Sequence, residues 1–240
     1  MKKRIVALAL SILMLLSVMC FVSCDDKKDE DEKMNDKYLL LVNKENAVGE
    51  DHIPEELVDV NTDYTNAGKA IMLEKTVAEA AISMIDAMKE AGIANVSITS
   101  GYREYSYQKT LFDRYIAKEK AAHPDWSDDE VRKEVLTYSA PPGTSEHQTG
   151  LCVDLWTSDM LELENYGHEG SYDDKGFAET AAFEWLQENA HKYGFILRFT
   201  ENKTDITGYS YESWHYRYVG KKHAKKIHEK GITLEEYLDD

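Results

Sequence analysis

Two histidines and two carboxylates stand in short stretches of the second half of the chain. His147 and Asp154 lie in "SEHQTGLCVDLW", while Glu212 and His215 lie in "ESWH". Two imidazoles and one carboxylate suffice to hold a zinc ion whose fourth position stays open to water. A nearby glutamate that is not a ligand can take the proton from that water. Spacing alone is equally compatible with a structural cluster of His and Asp side chains.

The segments around these residues indicate how they are positioned. His147 follows a turn-rich loop that contains Pro141, Pro142 and Gly143, and "LCVDLW" is a strand candidate. "FILRF" and "YSYESWHYRYVG" are also rich enough in β-branched and aromatic residues to form strands. On a regular strand, residues three apart face opposite sides. A bulge or a strand end near Ser213 is therefore required if Glu212 and His215 are to share one site.

The remaining periodicity predicts mainly helices. Apolar residues at helical spacing predict a long helix over 70–91, and Ser127 with Glu130 forms the capping pattern of another helix. We also predict a strand in "YLLLV", an irregular arm over 47–60, a strand over 96–99, helices over 103–122 and 177–194, a polar insertion over 157–176, and short helices after 220. The order favours an α+β fold, with a small, mostly antiparallel sheet flanked by helices.

The other histidines and two arginines have simpler interpretations. A lone histidine is more often a surface or hydrogen-bonded residue than a metal ligand, and we interpret His52, His123, His168 and His191 in this way. His223 and His228 stand among lysines and are interpreted as solvated surface residues. Arg198 and Arg217 are interpreted as surface charges, with assistance to substrate binding as the alternative.

Composition excludes some classes of partner. The 240 residues carry a formal net charge of −17, which argues against nucleic acid and against electrostatic attachment to anionic lipid. Of three cysteines, Cys20 and Cys24 lie in the N-terminal segment, so Cys152 has no partner for an intramolecular disulfide. We expect a monomer.

The first 24 residues predict export. "MKKRIVALALSILMLLSVMCFVSC" has a basic start, an apolar run and small residues before Cys24, which is the layout of a signal peptide. A single membrane-spanning anchor is the alternative. "FVSC" resembles a bacterial lipobox, which implies lipidation of Cys24. We expect a disordered acidic tether over 25–37, a folded domain over 38–240, and a lipid-anchored location outside the cytoplasmic membrane, in the cell envelope.

Three sequence blocks together resemble one enzyme family. "SEHQTGLCVD" is similar to the S-x-H-x-x-G-x-A-x-D motif of the VanY-type D-alanyl-D-alanine carboxypeptidases, "ESWH" to their E-x-W-H motif, and "SGYREYSYQ" to a third block. The resemblance runs from about Tyr38 to Leu238. It implies a hedgehog/DD-peptidase-like fold with the site in a cleft on the sheet.

The resemblance also implies roles for individual residues. His147, Asp154 and His215 would hold Zn²⁺, and Glu212 would be the catalytic base. Arg103 matches the substrate-binding arginine, while Gln108 and Ser145 match positions that contact the peptide end. One departure is Cys152 in place of the usual Ala. We interpret it as a small buried apolar residue; the alternative is a thiol close enough to the metal to be oxidised or to compete as a ligand.

The implied function is that of a zinc metallopeptidase. It would remove the C-terminal D-alanine from peptidoglycan stem peptides, either at a D-Ala-D-Ala end, which we favour, or at the L,D bond of a tetrapeptide. Two alternatives are an endopeptidase of the same fold, which needs a groove open at both ends, and a non-catalytic muropeptide-binding lipoprotein. Glu212 argues against the last, because binding alone needs no base.

Overall fold

A computed structural model describes residues 37–162 and 174–239. The predicted signal peptide, nearly all of the predicted tether and residues 163–173 of the predicted insertion lie outside this range. Lys37–Leu39 forms a 3-10 helix, so the strand predicted for "YLLLV" is wrong. None of the described helices combines the length and the apolar character that crossing a membrane requires.

A small hairpin precedes the first helix. Strand β1 (Leu57–Asp59) pairs antiparallel with β2 (Met72–Glu74). Helix α1 (Lys75–Glu90) follows at once, and the Glu74 side chain caps it by accepting a hydrogen bond from the backbone N–H of Val77 at 3.1 Å. The helix predicted from residue 70 therefore begins at Lys75, because the preceding residues pair in the hairpin.

The central sheet of the described residues has four antiparallel strands in the spatial order β3-β4-β6-β5. Its strands are β3 (Val96–Ser100), β4 (Cys152–Thr157), β5 (Phe195–Leu197) and β6 (His215–Tyr218). The predicted α+β class is confirmed. The strand predicted to span 209–220 is shorter, because it begins only at His215.

Helices flank this sheet. After α1 they are α2 (Tyr105–Ala122), α3 (Asp128–Tyr138), α4 (Asp174–Ala178), α5 (Ala181–Asn189), α6 (Thr204–Thr207), α7 (Lys221–Lys230) and α8 (Leu234–Asp239). The helix predicted over 177–194 is broken into the end of α4, α5 and a 3-10 turn, Ala190–Tyr193. Gly194 closes that turn with a φ of 92°, a left-handed conformation that suits glycine.

The core makes the sheet a rigid platform. One face of α1 is almost fully buried through Val77, Ala81, Met84, Ile85 and Met88, and β4 buries Val153 and Leu155. Each fully buried Val, Leu, Ile or Met side chain contributes about 1.5–3 kcal/mol from removal of apolar surface from water. The side chains on the other face of β4 are consequently held in fixed positions along a packed strand.

Candidate metal centre and active site

Two adjacent strands bring the predicted residues Asp154 and His215 side by side. Asp154 on β4 lies directly opposite His215 on β6 and, on its other side, opposite Ser100 at the end of β3. The 3-10 helix Glu146–Thr149 immediately before β4 presents His147. Gly150 links this helix to β4 with a φ of 67°, and a Cβ at this position would lie 3.0 Å from the backbone nitrogen of Glu74. Local geometry therefore requires glycine here.

The three predicted metal ligands lie in contact. His147 Nε2 is 3.2 Å from Asp154 Oδ2, and His215 Nδ1 is 3.0 Å from Asp154 Oδ1. The two imidazole rings are nearly perpendicular, with centroids 5.1 Å apart. Each ring thus directs one nitrogen at a different oxygen of the same carboxylate.

The far side of each imidazole is bound to an acceptor. His147 Nδ1 lies 2.6 Å from the carbonyl oxygen of Gly101, which can only accept, so Nδ1 carries the proton. His215 Nε2 lies 3.3 Å from Glu146 Oε2. These contacts leave Nε2 of His147 and Nδ1 of His215 directed at Asp154, and that is the arrangement in which a histidine binds a metal through one nitrogen and donates through the other.

Glu212 lies beside the cluster without being bound by it. Its Oε2 is 3.6 Å from His215 Nδ1, and its side chain is 16% exposed. Because β6 begins at His215, Glu212 belongs to the preceding turn, in which the His215 N–H donates to the Glu212 carbonyl at 3.3 Å. The structure therefore has the strand end that the spacing required near Ser213.

The pKa values of these groups are shifted strongly from their ordinary values. Burial and the negative charge of Asp154 raise the pKa of Glu212, whereas His215, His147 and Arg103 lower it. The result is a pKa of about 7. Burial also acts to raise the pKa of Asp154, but the two imidazoles hold it well below its usual range. For His147, burial and Arg103 lower the pKa, while Asp154 and other groups raise it overall to about 9. The site thus holds one carboxyl group whose pKa is lowered, Asp154, close to another whose pKa is raised, Glu212.

Arg103 reaches the same carboxylate from the loop after β3. Its backbone N–H donates to the His147 carbonyl at 3.0 Å, and its guanidinium Nη2 is 3.9 Å from Asp154 Oδ2. Its side chain is 21% exposed, so the head group borders both the cluster and solvent. The structure brings Arg103 together with the three predicted ligands.

Gln108 and Ser145 are both buried. In the sequence, Gln108 lies five residues after Arg103 and Ser145 two residues before His147. The Gln108 side chain on α2 donates to the carbonyl of Ala140 at 2.7 Å, and its buried Oε1 has no hydrogen-bond partner among the described residues. Ser145 is 5% exposed and precedes the 3-10 helix that carries His147. The structure gives no contact between these two side chains and the metal-ligand candidates.

Cys152 is fully buried on β4, two residues before Asp154. Its Sγ and one nitrogen each of His147 and His215 lie within 4.8 Å of one another, so these three donors could also hold a metal ion. Burial raises the pKa of the thiol, but His147 and His215 lower it overall to about 7. Cys152 is buried, as expected of a packing residue, and it also lies close to the proposed metal ligands. The structure is therefore compatible with both interpretations, a small apolar residue and a thiol near the metal.

A buried ionic cluster behind His215 was not predicted. Arg198 and Arg217 are both 0% exposed, so their interpretation as surface charges is wrong. Both contact Glu146 Oε1, Arg198 through Nε at 2.8 Å and Arg217 through Nη1 at 2.6 Å. Arg198 also binds Glu235 on α8 through two hydrogen bonds of 2.8 and 2.6 Å. An arginine inside the apolar run "FILRF" and a glutamate beside His147 were the features of the sequence that pointed to this cluster.

One further histidine differs from its prediction. His223 is 5% exposed, and its Nδ1 lies 2.8 Å from the Tyr237 hydroxyl, so it is a buried hydrogen-bonded residue rather than a solvated one. Its burial follows from the packing of α7 against the end of the chain, which the lysine-rich sequence of α7 does not reveal. His168 lies outside the described residues.

An aspartate and a histidine on neighbouring antiparallel strands, a second histidine on the 3-10 helix before them and a buried glutamate beside them are typical of metal-dependent hydrolases with an open coordination position. The family model described as "VanY: D-alanyl-D-alanine carboxypeptidase" matches residues 70–221. The chain belongs to this VanY family.

Relatives and solved structures agree with this assignment. A D-alanyl-D-alanine carboxypeptidase of Enterococcus faecalis (strain ATCC 700802 / V583) is 34% identical over 201 residues, which is 84% of this chain and 65% of the relative. The structure of the LdcB LD-carboxypeptidase, described as revealing peptidoglycan recognition, has a TM-score of 0.67 and 38% identity, covering 85% of this chain and 86% of that one. A VanY D,D-pentapeptidase variant from a VanB-type resistance cassette, in complex with Zn(II), has a TM-score of 0.66 and 32% identity, covering 84% and 98%.

The matched region does not span the curated relatives in full. The match covers 65% of the Enterococcus faecalis protein and 61% of a second D-alanyl-D-alanine carboxypeptidase, from Enterococcus faecium.

Proposed function

We propose that this protein is a zinc-dependent carboxypeptidase that removes the C-terminal D-alanine from peptidoglycan stem peptides. The observation that carries the proposal is the convergence of His147 Nε2 and His215 Nδ1 on the two oxygens of Asp154, at 3.2 and 3.0 Å, with Glu212 beside the same His215 nitrogen at 3.6 Å. Family membership supports the same reaction.

The proposed zinc ligands are His147, Asp154 and His215. Their donor types are those of catalytic zinc sites, and the ring nitrogens that face away from Asp154 are already bound to acceptors. Bound zinc would lower the pKa of a water molecule and polarise the scissile carbonyl. The Zn(II) complex of the VanY neighbour supports this choice of metal.

Glu212 is the proposed proton carrier. Its Oε2 lies 3.6 Å from His215 Nδ1, so in this proposal its carboxylate borders the position where water would attack the peptide carbonyl. Glu212 takes the proton of the attacking water and passes it to the leaving amine, which departs as free D-alanine. A binding protein would need no such group.

Arg103 is the proposed site for the substrate's terminal carboxylate. Its planar guanidinium can bind a carboxylate through two hydrogen bonds, and its long 3.9 Å pairing with Asp154 leaves donors available. The buried Gln108 Oε1, which has no partner in the described residues, supports a polar contact with the peptide end, and Ser145 is proposed for a similar contact.

Two stem peptides are candidate substrates. A D-Ala-D-Ala end is favoured by the Enterococcus faecalis relative, which is a D-alanyl-D-alanine carboxypeptidase. The L,D bond of a tetrapeptide is favoured by LdcB, an LD-carboxypeptidase with 38% identity to this chain. We propose D,D activity as the principal one, and a direct comparison of the two peptides decides between them.

The proposed location is the outer face of the cytoplasmic membrane. A signal peptide over 1–24, lipidation at Cys24 and a tether over 25–37 would hold a monomeric domain over 38–240 beside its polymeric substrate. The net charge of −17 adds no electrostatic attraction to anionic lipid, which is consistent with a covalent anchor.

The test uses the purified protein with zinc and two peptides, a stem pentapeptide and a stem tetrapeptide, and follows free D-alanine by mass. Glu212→Gln is expected to retain zinc and to lose turnover by about 10²–10⁴-fold, the usual contribution of a general base. Glu201→Gln, at an exposed position, is the matched control and should behave as the unsubstituted protein. Failure to release D-alanine from either peptide contradicts the function, whereas full turnover by Glu212→Gln contradicts only the role of Glu212.

A further inference from the structure

Glu146 links the proposed metal centre to the buried arginines. Glu146 is 4% exposed, and its two carboxylate oxygens have different partners. Oε1 accepts hydrogen bonds from Arg198 and Arg217 at 2.8 and 2.6 Å, while Oε2 lies 3.3 Å from His215 Nε2. Glu146 is adjacent to the proposed ligand His147, yet it contacts the other proposed histidine ligand, 69 residues away in the chain.

The charges of this cluster balance. Arg198 and Arg217 supply two positive charges, and Glu146 and Glu235 supply two negative ones. Glu235 binds the Arg198 guanidinium through two hydrogen bonds, and within the described residues no hydrogen bond or ion pair joins it to His215. A buried charge must be paired, and both glutamates pair with the buried arginines. Of the two glutamates, Glu146 is the one that also contacts a metal-ligand candidate, His215.

We propose that Glu146 is a positioning residue that fixes the tautomer of His215. This inference rests on the ligand set of the proposed function. When Glu146 accepts a hydrogen bond from His215 Nε2–H, the other ring nitrogen, Nδ1, keeps its lone pair. Nδ1 faces Asp154 Oδ1 at 3.0 Å, so this lone pair is available to the proposed metal on the Asp154 side of the ring. The two arginines hold the Glu146 carboxylate in place, so the ring cannot rotate without breaking a charge-assisted hydrogen bond.

The first test measures zinc affinity by competition with a chromophoric chelator. Glu146→Gln is expected to raise the zinc dissociation constant by about 10–100-fold, the usual effect of removing a group that orients a metal ligand. Glu235→Gln removes a negative charge from the same Arg198 without touching His215, so it should leave zinc affinity unchanged. An unchanged affinity in Glu146→Gln, or an equal loss in both variants, overturns the inference.

The second test needs no variant and covers the case in which Glu146→Gln fails to fold. Long-range ¹H–¹⁵N correlation spectra of the zinc-loaded, ¹⁵N-histidine-labelled protein report which ring nitrogen carries the proton. His215 is expected to be protonated at Nε2 and His147 at Nδ1. Protonation of His215 at Nδ1 overturns the inference.

The outcomes separate this inference from the proposed function. Normal zinc affinity in Glu146→Gln, together with D-alanine release that depends on Glu212, leaves the function intact and removes the positioning role. If the unsubstituted protein binds no zinc, both proposals are wrong.

Discussion

The two histidines of the site are fixed through opposite ring nitrogens. His147 is bound at Nδ1 by the Gly101 carbonyl, and His215 is bound at Nε2 by the Glu146 carboxylate. Each ring therefore presents its remaining nitrogen to Asp154 without a rotation that would cost hydrogen bonds. Preorganisation of this kind lowers the cost of binding a metal, because the ligands need not be ordered at the moment of binding.

Cys152 is the residue whose role follows least from the family motif. We expect Cys152→Ala to retain zinc content and turnover within a few-fold, because the proposed ligand set of His147, Asp154 and His215 does not include the thiol and the substitution removes a single buried atom. The measurements are metal content by mass spectrometry and D-alanine release. We also expect the buried thiol of the unsubstituted protein to react with a disulfide reagent only after unfolding in urea.

A Cys152→Ala variant that loses zinc would show that the thiol is itself a ligand, which the donor distances of up to 4.8 Å permit. Cys152→Ser is the control for volume, since it keeps the size of the side chain and removes the soft sulfur donor. Retention of zinc by both variants supports the interpretation of Cys152 as a packing residue.

Residue types and spacing were enough to find the candidates but not what surrounds them. His147, Asp154, Glu212 and His215 have side chains whose metal and proton chemistry is visible in the sequence. Glu146 is different, because its partners Arg198 and Arg217 are 52 and 71 residues away, and only the folded chain brings them together. Burial of a charge depends on such partners, so the sequence favoured exposure for both arginines.

At the scale of elements, local patterns were predictable and short pairings were not. The capping box of α3 lies within four residues, and the structure has it as predicted. Strands β1 and β2 have three residues each, which is too short for a reliable alternation pattern, and their pairing brings together residues 57–59 and 72–74. The predicted helix over 70–91 consequently included a strand that only tertiary pairing reveals.

The α3 capping box provides a stability prediction. Ser127 Oγ accepts from the Glu130 N–H at 3.3 Å, and Glu130 Oε2 accepts from the Ser127 N–H at 2.8 Å. Ser127→Ala is expected to lower the free energy of unfolding by about 1 kcal/mol in urea titrations at pH 7. Ser83→Ala is the control, since Ser83 is exposed inside α1 and caps nothing, and it should be neutral. Equal effects of the two substitutions would contradict the role of the cap.

The same cap predicts a pH dependence. Hydrogen bonds from Ser127 lower the pKa of Glu130 from its ordinary value of 4.5. A carboxylate with a lowered folded-state pKa stabilises the fold fully above its unfolded-state pKa, and that contribution is lost as pH falls through the folded-state value. The stability difference between the unsubstituted protein and Ser127→Ala should therefore shrink below about pH 4.5. A constant difference between pH 7 and pH 3 would contradict this linkage.

For the whole molecule, the site joins distant parts of the chain. His147 lies on a 3-10 helix, Asp154 on β4 and His215 on β6, and 61 residues separate the last two. In the unfolded chain His215 is far from His147 and Asp154, so a metal that these three proposed ligands share binds the native state selectively. Selective binding stabilises the native state by mass action, by about 2.7 kcal/mol when free metal is at 100 times its dissociation constant.

Zinc is therefore expected to raise the melting temperature of the protein. For a domain of this size, about 2.7 kcal/mol corresponds to a rise of about 5–10 °C, measured by calorimetry with and without chelator. Asp154→Asn should abolish most of the shift, because it removes the charge of the proposed ligand that both histidines contact. Asp113→Asn, at an exposed position on α2, should preserve the shift, and Mg²⁺ at equal ionic strength should not reproduce it. A shift that survives in Asp154→Asn would place the zinc elsewhere, since a ligand stabilises the fold only through the native site that it occupies.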